Sequence, residues 1–185
     1  MPDRHAWVAD TYRRLADVLE RSPASWDAPS LCQGWRVRHV VAHVTMPMRL
    51  TPERFGAEIA AAGGDFGVLS DTVAARDAAL PTDELLEQLR SPELHAWEPP
   101  GGGAAGALSH SVIHSLDVTL ALGEPTVAPD AAVRDVVDQL VASDGAWFGV
   151  DLTGPRPDEA ATDAGERVAL LSGRTLPDGR ALPRR

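Results

Sequence analysis

A chain of 185 residues is long enough to bury one core of ordinary domain size and short for two. Its formal net charge of −10 excludes the basic stripe that displaces counterions from nucleic-acid phosphates, and no apolar run nears the roughly 18 residues that span a bilayer. The single cysteine, Cys32, allows neither an intrachain disulfide nor a thiolate-only metal site; with no signal-like N terminus, a cytoplasmic protein is expected.

Val8, Tyr12, Leu15 and Leu19 recur at helical spacing opposite Arg13, Arg14 and Glu20, which predicts a first helix over 5–22. Turn formers dominate 23–35, a connecting loop in which Trp26, Leu31 and Trp35 act as apolar plugs. The helical period resumes at Val37, Val40, Val41, Val44 and Met48. Thr51 and Pro52 then read as an N-cap and first helical residue, and Gly63 and Gly64 as a stop, so this second region is bent or in two parts. A third region over 69–90 is broken at Pro81, with Thr82 as a second N-cap. The glycine-rich loop 97–107 has no lysine and no preceding strand, which argues against phosphate binding. A fourth helix over 105–122 stops at Gly123 and Pro125, and a fifth covers 129–143.

After Trp147 large apolar residues thin out until a short helical block at 166–174, followed by a turn at Pro177, Asp178 and Gly179. The expected fold is all-α: a four-helix bundle with a fifth helix over 1–146, and a small, reduced, partly mobile C-terminal appendage over 147–185.

The fourth helix is apolar nearly all round and therefore buried, except for a narrow stripe of His110, His114, Asp117 and Ala121. Imidazoles four residues apart stack one turn above the other and can aim at one point. Two readings stand side by side: core histidines hydrogen-bonded to carbonyls or to each other, and a metal site that holds both rings neutral. An open metal site takes three protein ligands. His43, in the middle of the second helical region, is the third candidate, while His39 falls toward the polar side beside Arg36. His5 and His95 read as surface residues, Asp117 as a partner for a ligand imidazole, a cap or an arginine's ion-pair partner, and Cys32 as an inert apolar filler.

The block "SLCQGWRVRHVVAHV", followed about 70 residues later by "HSVIHSLDVTLALG", resembles the mycothiol-dependent maleylpyruvate isomerase family of actinobacteria, within the wider DinB-like and YfiT-like metalloenzymes. The resemblance covers roughly residues 5–145. It implies a DinB-like bundle with a divalent metal held near one end by His43, His110 and His114. It also implies a catalytic arginine from the C-terminal segment, for which Arg174 is the nearest candidate. In the isomerase itself the first ligand of the later helix is glutamate; His110 stands there in this chain, giving the three-histidine set of other members.

Three neutral imidazoles leave a divalent ion its full charge, which favours ionising a bound thiol or water. The expected function is a metal-dependent enzyme that activates a mycothiol-type thiol for S-transfer to, or isomerisation of, a small electrophile. Zinc is the default ion, and nickel or iron also suit imidazole ligands. A metal-dependent hydrolase and a non-catalytic metal-binding stress protein stay open as alternatives, as does a homodimer.

Overall fold

A computed structural model gives the fold and describes residues 3–153 and 161–185; of the expected appendage, 154–160 lie outside the described residues. Among these residues there are nine α-helices and no strand. They are α1 (Arg4–Arg21), α2 (Val37–Val44), α3 (Pro52–Ala61), α4 (Phe66–Asp77), α5 (Thr82–Leu89), α6 (Pro92–Ala96), α7 (Gly103–Leu122), α8 (Asp130–Ala142) and α9 (Ala164–Leu171).

The apolar stripe of α1 is buried as its period predicts, with Val8, Tyr12, Leu15 and Leu19 all facing the core. Asp3 starts the helix by accepting the Ala6 N–H. The second region splits for a physical reason: Pro47 has no N–H to continue the ladder, and a single 3-10 turn over Met46–Met48 follows α2. Thr51 then caps α3 by accepting from Arg54, with Pro52 at its first position. In the third region α4 begins earlier than the sequence period indicates, because Asp65 caps it through the Val68 N–H. Thr82 is the first residue of α5 and not its cap; Pro81 occupies that position.

The bundle is organised around α7. Helices α1 and α2 flank it, α4 packs on α2, and α5 packs on α1 and α2. Ser111 and Ser115 lie fully buried on α7, and their hydroxyls donate back to the carbonyls of Leu108 and Val112 at 2.9 and 2.8 Å. They are therefore small, self-satisfied fillers. Gly123 ends α7 in the left-handed conformation, φ 67°.

Helix α9 packs on α7 and α8. A Cβ at Gly165 would lie 2.8 Å from the Thr126 hydroxyl and 3.1 Å from a Leu116 methyl, so the close approach of α9 requires glycine there. Val168, Leu170, Leu171, Leu176 and Leu182 join the same core as α1, α2 and α7. The last residues are tied down as well, by Asp151 N–H to the Pro183 carbonyl at 2.8 Å and Arg185 N–H to the Gly149 carbonyl at 2.9 Å.

His95 departs from its surface reading. The short helix α6, invisible in the proline-rich sequence around it, docks the ring against α1. The residue is 5% exposed, with Nε2–H donating to the Leu89 carbonyl at 2.8 Å. His5 lies half-buried over it, with Nδ1 3.2 Å from the His95 carbonyl. Burial, partly offset by the Leu89 bond, holds the His95 pKa below the ordinary histidine value.

Two predictions follow from this packing. Leu170→Ala should destabilise the whole protein by about 2–5 kcal/mol and shift a single cooperative denaturant transition; a separate early transition would show that α9 is not part of the main core. A histidine with a lowered folded pKa binds its proton in the unfolded chain first, so stability should fall as pH drops below about 6.5. In His95→Gln the slope of unfolding free energy against pH between about 6.5 and 5 should be shallower than in the parent, as read by chemical denaturation across that range.

Candidate functional site

His43 is the penultimate residue of α2, and His110 and His114 face it from the middle of α7. The ring centroids of His43 and His110 are 5.2 Å apart, those of His43 and His114 4.8 Å, and those of His110 and His114 4.7 Å. One ring nitrogen from each residue falls within 4.8 Å of the others. The two Nε2 atoms of His43 and His110 are 3.2 Å apart.

Each ring is gripped through Nδ1 by a different element. His43 Nδ1 meets the Ser70 hydroxyl of α4 at 2.9 Å, His110 Nδ1 the Tyr12 hydroxyl of α1 at 3.2 Å, and His114 Nδ1 the Asp117 carboxylate at 2.8 Å. Donation from Nδ1–H to these oxygens leaves an Nε2 lone pair on each ring. A tetrahedral cation with metal–nitrogen bonds of about 2.0–2.1 Å holds its ligand nitrogens about 3.3 Å apart. The His43–His110 spacing matches that figure, and the three histidines are a donor set that could hold a divalent cation.

The electrostatics keep two of the rings neutral. Burial, then the neighbouring His114, pushes His43 and His110 well below the ordinary histidine value. Asp117 is 1% exposed. Burial alone would favour its acid form, but Arg174 outweighs that and holds the carboxyl well below the usual range. The Arg174 guanidinium is bidentate on Asp117, Nε to Oδ1 at 2.8 Å and Nη2 to Oδ2 at 2.9 Å, and Nη1 donates to the Ser172 carbonyl at 2.7 Å.

Cys32 lies in this cluster and is not the apolar filler its sequence setting indicates. Its thiol donates to Asp117 Oδ2 at 3.0 Å, and the adjacent Leu31 N–H donates to the Asp117 carbonyl at 2.9 Å. Cys32, His114 and Asp117 form a second group with cation-like spacing. Burial and the Asp117 charge push the Cys32 thiol far up, with Arg174 countering only in part, and Arg174 already occupies the carboxylate. The three-histidine group is the better cation site.

A cavity of about 1650 Å³ opens onto the histidines. Trp35 and Phe66 stand beside His43, with centroids 5.2 and 6.4 Å away, and Trp97 beside His110 at 5.8 Å. Trp35, expected as a plug in the loop, packs against the core as such and also lines the cavity, with its indole N–H on Asp71 at 2.9 Å. His39 stays outside the cluster and accepts the Arg36 N–H at the start of α2, 3.2 Å.

The sequence reading missed Tyr12 and Ser70. Tyr12 carried one available signal, a hydroxyl on an otherwise aliphatic stripe, since a buried tyrosine hydroxyl needs a partner. Ser70 carried none.

Comparison with known proteins adds one finding. Residues 8–96 match the family model described as the mycothiol maleylpyruvate isomerase N-terminal domain. Comparisons with curated proteins and with solved structures gave no significant match. The matched stretch runs from α1 through α6 and holds Tyr12, His43 and Ser70, while His110, His114, Asp117 and Arg174 lie beyond it. The chain is thus similar to that family's domain over just under half of its length.

Proposed function

We propose that this protein is a divalent-metal-dependent enzyme that activates a low-molecular-weight thiol of the mycothiol type, for S-transfer to a small electrophile or for thiol-assisted isomerisation of one. The observation that carries the reading is the convergence of His43, His110 and His114, each held through Nδ1, on the floor of a cavity wide enough for two reactants. The family match supports the thiol part.

His43, His110 and His114 would hold the ion, with zinc the first choice for an all-imidazole set. When bound there, the ion supplies Lewis acidity that lowers the pKa of a coordinated thiol toward neutrality. The protein's own contribution is orientation and charge. Ser70, Tyr12 and Asp117 fix the ring planes and the tautomer. Arg174, expected from the family resemblance to be catalytic, has its guanidinium committed to Asp117 and Ser172; we assign it a positioning task, keeping Asp117 ionised and so keeping His114 aimed.

His114→Ala should lose bound metal by elemental analysis and lose mycothiol-dependent conversion of a generic electrophile, with the far-UV circular dichroism of a folded helical protein retained. Equal metal in variant and parent would sink the ligand assignment, and conversion that proceeds without thiol would replace this reading with hydrolysis. Tyr12→Phe and Ser70→Ala should each weaken zinc binding by roughly 10- to 100-fold, measured by competition with a chromogenic chelator. Unchanged affinity would show that the two hydroxyls do not set the rings.

A further inference from the structure

We propose that helix α6 and the Trp97 that follows it form an acid-sensitive wall of the cavity, pinned by His95: a proton taken up by His95 favours release of the segment and withdrawal of Trp97 from beside His110. The claim concerns the wall alone and does not depend on the thiol-activating reading above.

The pin is visible in the contacts. Helix α6 has five residues, too few to hold itself, and its buried side chains are Leu94 and His95. The His95 ring lies nearly parallel to that of Tyr12 on α1, with an interplanar angle of 22° and centroids 6.3 Å apart, and its Nε2–H donates to the Leu89 carbonyl at the end of α5 at 2.8 Å. Trp97 is the C-cap of α6, its indole centroid 5.8 Å from that of His110, and Pro99 and Pro100 continue the cavity lining. Moving α6 therefore moves a wall of the site.

Only the neutral ring fits this place. With Nε2 donating, Nδ1 is a bare acceptor, buried and met by no polar group of the described residues. A proton added there makes an N–H without an acceptor and a charge on a residue 5% exposed, and both are costly. The surroundings do not compensate. From α1, Arg13 repels the charge, Tyr12 faces His110 through its hydroxyl, and His5 meets the His95 carbonyl and Glu98. The 3-10 turn Met46–Met48, which also packs on α6, brings no titratable group. The nearby carboxylates are committed: Glu98 to His5, Glu93 to Ser91, and Asp17 and Glu20 to Arg90.

In the released segment the ring titrates near the ordinary value of about 6.5. Release therefore takes up a proton, and it is favoured as pH falls below that value. A helix this short opens at less cost than the core helices, so local release precedes global unfolding.

The test is native-state hydrogen exchange of the full-length protein by NMR between pH 7 and 5, corrected for the intrinsic pH dependence of amide exchange. The probes are the hydrogen-bonded N–H groups of His95 and Trp97, which donate to the Ser91 and Leu94 carbonyls. Their opening constants should exceed those of α7 at least tenfold at both pH values, and should rise by roughly 3- to 30-fold on acidification. His95→Gln should abolish the rise, and His5→Gln should retain it. A flat response in the parent, or opening of α6 only together with α7, overturns the proposal without recourse to any variant. A rise that survives His95→Gln or disappears in His5→Gln places the proton elsewhere and overturns the pin.

Discussion

The buried ion pair between Asp117 and Arg174 is the constraint on which the rest of the site depends. A carboxylate almost wholly removed from water costs several kcal/mol unless its charge and lone pairs are met. Here a guanidinium fork takes both oxygens, and the Cys32 thiol and His114 Nδ1 share Oδ2. The Asp117 carbonyl in turn receives the Leu31 N–H. One residue of α7 thus joins the loop before α2, the segment after α9 and the orientation of His114. Breaking such a pair on one side strands a buried charge, typically at a cost of about 3–5 kcal/mol. The docking of the C-terminal segment and the aim of His114 are therefore one energetic unit.

The position of the cavity follows from unequal helix lengths. At 1.5 Å per residue α7 runs for about 30 Å and α2 for only about 12 Å, because Pro47 stops the second region just past His43. The cavity beside the end of α2 is bordered by Met46, Met48, Phe55 and Phe66, from the 3-10 turn and from α3 and α4. Helix α3 has no buried residue and packs on α4 around a small satellite core of Met46, Leu50, Leu69 and Val73. The chain break that ends α2 is thus the same event that opens the site beside its last histidine.

Much of this was legible in the sequence, and the parts that were not share a cause. Local patterns carry local structure: the stripe of α1, the Thr51–Pro52 start of α3, the Gly123 stop of α7 and the His110–His114 spacing each involve residues within a few turns of one another. His43 was reachable because it too sits on a readable helix. The contacts that build the site's surroundings are long-range. Tyr12 meets His110 across 98 residues, Cys32 meets Asp117 across 85, and Arg174 meets Asp117 across 57. No periodicity encodes such pairs. His95 was misread because a helix of five residues between a proline and a glycine-rich loop leaves too few positions to show a period.

The charge state of the cluster ties the ion pair back to the histidines. A lone carboxylate beside three imidazoles would raise their pKa values and favour protonated rings that offer no lone pair. Asp117 acts on His43 and His110 in that direction, and Arg174 acts on both in the opposite one. The pair is close to neutral as a unit, so Asp117 can grip His114 through a hydrogen bond without charging the other two rings. Burial then decides the matter, and His43 and His110 stand neutral. The guanidinium that stabilises the fold is in this way also what lets a carboxylate serve as the positioning group in the proposed metal site, whose donors must remain unprotonated.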